Sequence, residues 1–346
     1  MAEIPEPASM DQLRLESLLQ VVRGMARLLI LPHNDPDPDA LASALALQYL
    51  IETLTSAVCT IGYGGLIGRA ENRALVKYLD VKLQRVEQLE IAAFDRIALV
   101  DSQPGAGNNP LPPGRWADIV LDHHQPFREQ TTRASFSDVR LDVNSTSVIM
   151  TGYVLAAGLD ISPRLATALF YGIETDTMGF ERHPSPDDRA TYLRLQPLVE
   201  VDALFSIQHA RVSREYFQSF AATLRAAEIR DRAIVAYLGE VPTPDMVAEM
   251  ADVLLRLDGI AWVLCLAACG DKLYLSLRST EMRPNAGQVA QQLVRDLGMA
   301  GGHGLVAGGQ IPLQGRDRAE LAGEVTRRLL EALDLQSVPA EKLTHC

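Results

Sequence analysis

LPHNDPDPDALASALAL, residues 31–47, sets one histidine and three aspartates within His33–Asp39, directly ahead of an apolar run. The run RLLILP at 27–32 leads into it, a short buried-strand pattern ended by a proline. ALASALALQYLIETL, residues 40–54, follows with the composition of a helix. The order is strand, acidic turn, helix. Like charges this close resist ionisation, so the turn is either solvated or a seat for positive charge that the chain does not supply.

The same order recurs. RIALVDSQPG (96–105) and ADIVLDHHQP (117–126) each end an apolar, strand-like run on an aspartate and a turn. Alternating strands and helices predict a doubly wound parallel sheet, in which ligands bind outside the carboxyl ends of the strands. His33–Asp39, Asp101 and Asp122–His124 fall at those ends, and Asp176 follows the apolar stretch ATALFYGIET. All four clusters are expected on one sheet edge.

From about residue 187 long helical stretches take over, and a second α/β pattern follows. It runs from AIVAYLGE (233–240) through AWVLCLAACGDKLYLSLRS (261–279), two strands joined at Gly270-Asp271, to the glycine-rich GMAGGHGLVAGGQI (298–311). The expected division is a catalytic domain at 1–190, a helical connector at 191–229 and a smaller α/β substrate domain at 230–346.

Composition narrows the function. A net charge of −12 over 346 residues lacks the basic footprint that sequence-independent binding to duplex nucleic acid requires. Cys59, Cys265, Cys269 and Cys346 form no CxxC pair and read as reduced, buried thiols rather than zinc ligands. The first ten residues lack the pattern of a secretory signal, and no apolar stretch approaches a membrane span. A cytoplasmic protein without membrane contact is expected.

Carboxylates mixed with histidine and little sulfur favour Mn²⁺ or Mg²⁺ over zinc. The aspartates and histidines exceed the needs of one ion, whereas two ions sharing a carboxylate would use them, an arrangement suited to in-line phosphoryl displacement. Each piece also has a plainer reading. Asp35 beside Pro36 reads as a turn residue, Asp39 as the N-cap of the helix that follows, and Asp101 as a loop aspartate. Those readings must hold together at one sheet edge to displace the metal.

HNDPDPDA, VDSQPG, LDHHQP and IETDTMGF, in this order, resemble the four motifs of the DHH phosphoesterase superfamily. LSLRST (275–280) followed by AGGHGLVAGG (300–309) resembles the DHH-associated C-terminal domain. The resemblance implies that His33, Asp37 and Asp101 hold one metal, and that Asp39, Asp101, His123 and Asp176 hold the other. Asp101 would be the bridge. The first motif has the form H-x3-D-x-D, which leaves Asp35 outside it. Asp122 would orient a histidine and His124 would face the substrate phosphate, making His124 and Asp101 the catalytic pair. The resemblance further implies two divalent ions, Mn²⁺ foremost with Mg²⁺ or Co²⁺ as alternatives, and substrate contacts from Arg278, Ser279, Gly301, Gly302 and His303. Ala300 stands where the family's loop has its first glycine, and Gly304 and Leu305 follow His303, a departure that bears on recognition of the base or distal phosphate.

The branch most similar in length and domain content hydrolyses short oligoribonucleotides and 3′-phosphoadenosine 5′-phosphate (pAp). The expected partners are therefore small phosphorylated nucleotides or very short RNA, with a homodimer left open. A cyclic or linear dinucleotide phosphodiesterase is the nearest rival, and a nucleotide-binding regulator that keeps its metals without turnover is the rival from another class. The stretch SQPGAGNNPLPPG, residues 102–114, exceeds a simple turn and is expected to form a lid or rim near the metals.

Overall fold

The computed structural model describes residues 9–179 and 184–344, apart from the side chain of His303. Two compact units divide the chain, Met1–Ala210 and Arg211–Cys346.

The first unit runs α1 (Met10–Val22), β1 (Arg27–Pro32), α2 (Pro38–Leu54), β2 (Val58–Tyr63), α3 (Ala70–Leu79), β3 (Leu83–Arg85), β4 (Arg96–Val100), β5 (Ile119–Asp122) and β6 (Phe136–Val139). Helices α4 (Thr146–Ala156), α5 (Pro163–Asp176), α6 (Pro186–Leu195) and α7 (Val201–Gln208) follow. Its sheet is parallel throughout, in the order β3-β2-β1-β4-β5-β6. The chain winds outward one way from β1, then returns to start the other way at β4. That reversal opens a crevice beyond the carboxyl ends of β1 and β4, where such sheets bind ligands.

Alternation along β1 explains its continuous apolar run. Leu28 and Ile30 pack with residues of α1, α2, α4 and α5 on one face. Leu29 and Leu31 pack with Ile97, Leu99 and Val120 on the other. A strand buried on both faces has no position for a polar residue, so polarity begins where the strand ends, at His33. Asp138 on β6 ties the helices down. It accepts from Arg14 of α1, from Arg140 Nε at 2.9 Å and Nη2 at 2.8 Å, and from the Tyr153 hydroxyl of α4 at 2.6 Å.

The second unit contains α8 (Arg214–Ala226), β7 (Glu228–Arg230), β8 (Ala233–Glu240), α9 (Asp245–Leu254), β9 (Trp262–Cys269), β10 (Lys272–Ser279), α10 (Ala286–Leu293), β11 (Met299–His303), β12 (Val306–Pro312), α11 (Arg318–Ala332) and β13 (Glu341–Lys342). Its sheet is mixed, in the order β11-β12-β10-β9-β8-β7-β13, with β8 and β9 parallel. The expected turn at Gly270-Asp271 joins β9 to β10 as an antiparallel hairpin. The glycine-rich segment is not a loop but a second hairpin, β11 on β12, with Gly301 opposite Gly308. Glycine serves close approach there: a Cβ on Gly302, whose φ is +153°, would lie 2.5 Å from the Ala307 Cα.

Cys59 and Cys265 are buried free thiols, and Cys269 is partly buried; Cys346 lies outside the described residues. Among the described residues, no helix is long and apolar enough to cross a membrane.

Candidate metal centre

Each group of the site is delivered by the end of a regular element. His33 and Asp37 follow β1, Asp39 sits in the first turn of α2, Asp101 follows β4, Asp122 ends β5 and is followed by His123 and His124, and Asp176 ends α5.

Asp101 lies at the middle. Its side chain is 1% exposed, and its Oδ2 is 3.5 Å from His33 Nε2. Its Oδ1 lies 3.4 Å from His123 Nε2 and 3.6 Å from His124 Nδ1. His33 Nε2 is also 3.6 Å from Asp37. On the other side His123 Nε2 lies 3.1 Å from Asp176 and 3.9 Å from Asp39. Three groups thus offer ligand atoms within 4.8 Å of one another: His33, Asp37 and Asp101; Asp39, His123 and Asp176; and Asp101, His123 and His124.

The local structure explains why these side chains stand as they do. Asp101 has φ +58°, a left-handed conformation uncommon outside glycine and characteristic of functional positions. The N-cap of α2 is Asp37, not Asp39: its Oδ1 accepts from the Ala40 amide at 3.0 Å, while Pro38 occupies the first helical position. Asp39 instead receives the start of another helix. Its two oxygens accept from the amides of Thr146 and Ser147 at 2.7 Å each, placing the buried carboxylate on the positive end of α4. Gly172 on α5 permits this closeness, since a Cβ there would lie 2.6 Å from Ser147 Oγ and 3.0 Å from the Asp39 Cα. Asp35, outside the H-x3-D-x-D pattern, has a structural post. With φ +56°, it accepts from the Leu66 amide at 2.6 Å and donates its own amide to the Gly64 carbonyl at 3.1 Å. The 102–114 segment reaches the same corner, where the Asn34 amide donates to the Asn108 carbonyl at 2.5 Å.

The cluster fits divalent cations. Asp101 Oδ2 and His123 Nε2 are buried without a hydrogen-bond partner, an arrangement that costs about 1–3 kcal/mol for each group unless something else satisfies it. Burial, with the neighbouring Asp39 and Asp37 carboxylates, pushes the Asp101 carboxyl well above its ordinary value. Burial opposes charge on His33, but Asp37 and Asp101 prevail and raise it to about 10. His124 is likewise raised to about 10, with Asp122 outweighing burial. Asp176 places a carboxylate at the negative end of its helix, where a cation is the favoured neighbour. The donor set is rich in carboxylate and free of sulfur, as Mn²⁺ and Mg²⁺ prefer.

Asp122 stands apart from the three groups. It is fully buried and its Oδ1 lies 2.9 Å from His124 Nδ1. Gln103, Thr146 and Ser147 also belong to the site, although sequence reasoning passed over them. NSTS at 144–147 carries the signature of a helix start, but nothing local shows that the helix is aimed at Asp39.

In the second unit Arg278 is buried and engaged. Its Nε pairs with Asp252 at 2.5 Å, and its Nη1 donates to Ser276 Oγ at 2.7 Å and to the carbonyls of Leu277 and Ala307. Ser279 Oγ accepts from the Glu281 amide at 2.9 Å. Gly301 and Gly302 lie on β11, as does the backbone of His303, whose side chain lies outside the described residues.

Residues 230–334 match the DHHA1 domain. An uncharacterized protein of Methanocaldococcus jannaschii is 35% identical over 310 residues, covering 88% of this chain and 62% of that protein, so the chain spans under two thirds of this relative's length. An exopolyphosphatase-related protein from Bacteroides fragilis shares the fold at a TM-score of 0.71 and 17% identity, over 96% of this chain and 98% of that one. Exonuclease RecJ bound to manganese is similar at a TM-score of 0.50 and 15% identity, over 96% of each chain. The C-terminal part of the chain therefore carries a DHHA1 domain, and the chain shares its fold with the exopolyphosphatase-related protein.

Proposed function

We propose that this protein is a divalent-metal-dependent hydrolase of phosphoester bonds in small phosphorylated nucleotides, with pAp and very short oligoribonucleotides as the substrates. The observation that carries the reading is Asp101, a buried carboxylate within 3.6 Å of three histidine nitrogens with one oxygen lacking a hydrogen-bond partner. In this reading His33, Asp37 and Asp101 hold one ion, and Asp39, Asp101, His123 and Asp176 hold the second. Such ions, when bound, supply Lewis acidity and lower the pKa of a water nucleophile. Manganese in the fold relative RecJ supports Mn²⁺ as the first ion to test.

The chain's own residues do the rest. Thr146 and Ser147 hold Asp39 and Asp101 in place, which limits their freedom to collapse onto one ion. Asp122 accepts from His124 Nδ1–H and so leaves Nε2 as the nitrogen that meets the substrate. Arg278, Ser279, Gly301, Gly302 and His303 are assigned to substrate phosphates. For Arg278 this means sharing its fork with Asp252.

The test is purified protein with Mn²⁺ against pAp, pApA, cyclic di-AMP, short RNA and pyrophosphate. Turnover of pAp and pApA above the others supports the proposal. Preference for cyclic di-AMP or pyrophosphate overturns the substrate assignment, and metal binding without turnover of any of them identifies a nucleotide-binding regulator.

A further inference from the structure

Gln103 follows Asp101 by two residues and is 2% exposed. Its carboxamide has two protons to donate and two lone pairs to accept, and each has a partner. Nε2 donates to Asp122 Oδ2 at 2.8 Å and to the His124 carbonyl at 2.9 Å. Oε1 accepts from the Arg128 amide at 2.7 Å and from Thr131 Oγ1 at 3.2 Å. The backbone of Gln103 is fixed too, its carbonyl accepting from Asn109 Nδ2 at 2.8 Å.

The orientation of this amide follows from its partners. A carboxylate and a carbonyl only accept, and a backbone N–H only donates, so the flipped amide would lose at least three of the four contacts. Asp122 is thereby bound at both oxygens, Oδ2 by Gln103 and Oδ1 by His124 Nδ1 at 2.9 Å. It has no spare oxygen facing inward to become a ligand. His124 is held twice, its ring through Asp122 and its main chain through its carbonyl. A glutamate at 103 would oppose Asp122 with like charge, and an apolar residue of the same length would leave Asp122 Oδ2 and two main-chain groups unpaired.

We propose that Gln103 is a positioning residue for His124: it fixes Asp122 as the acceptor of the Nδ1 proton, and so keeps Nε2 as the nitrogen presented to substrate. The catalytic consequence rests on the phosphoesterase reading above, whereas the orientation of the ring does not.

The experiment compares wild type with Gln103→Met in two ways. The first is steady-state kinetics on pAp with Mn²⁺, beside elemental analysis of bound metal. The second is ¹⁵N spectra of the histidine rings in the Mg²⁺-loaded protein, with His124→Gln assigning the resonance. Orienting groups of this kind typically cost 10–100-fold on removal, so kcat should fall by about that factor with KM within about twofold and metal content unchanged. The His124 Nδ1 resonance should lose the signature of a proton hydrogen-bonded to Asp122. Wild-type kcat with an unmoved ring signal overturns the proposal, as does loss that tracks loss of metal. If Gln103→Met does not fold, Thr131→Val removes one partner only. A smaller fall in kcat at constant KM then supports the assignment, and an unchanged kcat defeats it. Should wild type hydrolyse no substrate in the panel, the phosphoesterase reading fails and the ring spectra alone decide the role of Gln103.

Discussion

Thr146 binds Asp101 through its side chain, Oγ1 donating to Oδ1 at 2.8 Å, while its amide donates to Asp39 at 2.7 Å. One residue at the start of α4 therefore sets the spacing of two carboxylates, one in the first turn of α2 and one just after β4. Thr146→Val keeps the shape and the amide contact but strips Asp101 of a buried donor. Destabilisation of about 1–3 kcal/mol is expected in the metal-free protein, together with weaker Mn²⁺ binding. Thermal melts with chelator and calorimetric titration measure the two effects, and wild-type values in both would show that Thr146 does not organise the site.

Asp101→Asn should retain the fold, because asparagine tolerates the left-handed backbone at this position. It should lose bound metal and more than about 100-fold in kcat, beyond the range typical of residues that only orient ligands. Chelator should inactivate wild type reversibly. Full activity of the variant under Mn²⁺ would sink the bridging assignment.

In the second unit the pairing of Arg278 with Asp252 separates two roles. Arg278→Ala should leave metal content unchanged, lower kcat/KM on pAp by about tenfold or more and lower Tm, since it removes several buried hydrogen bonds. Asp252→Asn should keep the shape while releasing the guanidinium from its charge partner, and tighten binding of inorganic phosphate. An Arg278→Ala variant that loses Tm but keeps kcat/KM would assign the residue to the fold alone.

Asp138 predicts an acid limb in stability. Burial pushes its carboxyl up, but hydrogen bonds from Arg140 and Tyr153 and the charges of Arg140 and Arg14 outweigh burial and hold it below the ordinary carboxylate value. A group depressed in the folded state contributes stability that is complete above its unfolded pKa of about 3.9 and is lost as pH falls through the folded value. Asp138→Asn should flatten that part of the Tm against pH curve and, by breaking a buried ionic network, cost about 3–5 kcal/mol near neutrality. An unchanged acid limb in the variant would place the titration elsewhere.

Substrate length follows from charge. With a net charge of −12 and no basic tract, few phosphates can be neutralised at once. kcat/KM on pAp and dinucleotides should exceed that on RNA of about twenty residues, and binding should show a shallow salt dependence, because the slope scales with the phosphates contacted. Rates that rise with length alongside a steep slope would point to a processive exonuclease.

Much of this architecture was legible in the sequence because buried parallel strands leave polarity only at their ends. His33, Asp101 and Asp122 each mark such an end. The plainer reading of Asp39 as a cap could have been set aside locally, since Pro38 at the first helical position already points to Asp37. Arg278 shows a different limit. A planar fork beside a glycine-rich segment suits phosphate, yet its neighbour Asp252 lies 26 residues earlier and comes near only through folding. The same holds for Gln103, which sequence places in a proline- and glycine-rich rim, and for Asp35, whose partners lie on the 64–66 turn. The hairpin at 299–312 escaped because glycines that pair in a ladder read the same as glycines that loop.

The bare Cα of Gly172 carries a consequence for evolution and engineering alike. It works as a spacer of zero thickness where three helices meet, one bearing Asp39, one donating to it and one ending four residues later in Asp176. A single methyl at this junction would wedge α5 outward and carry Asp176 with it, away from His123. The reach of one side of the cluster is therefore machined by a residue that contributes no side chain, and redesign of the metal preference has to begin at this joint as much as at the ligands.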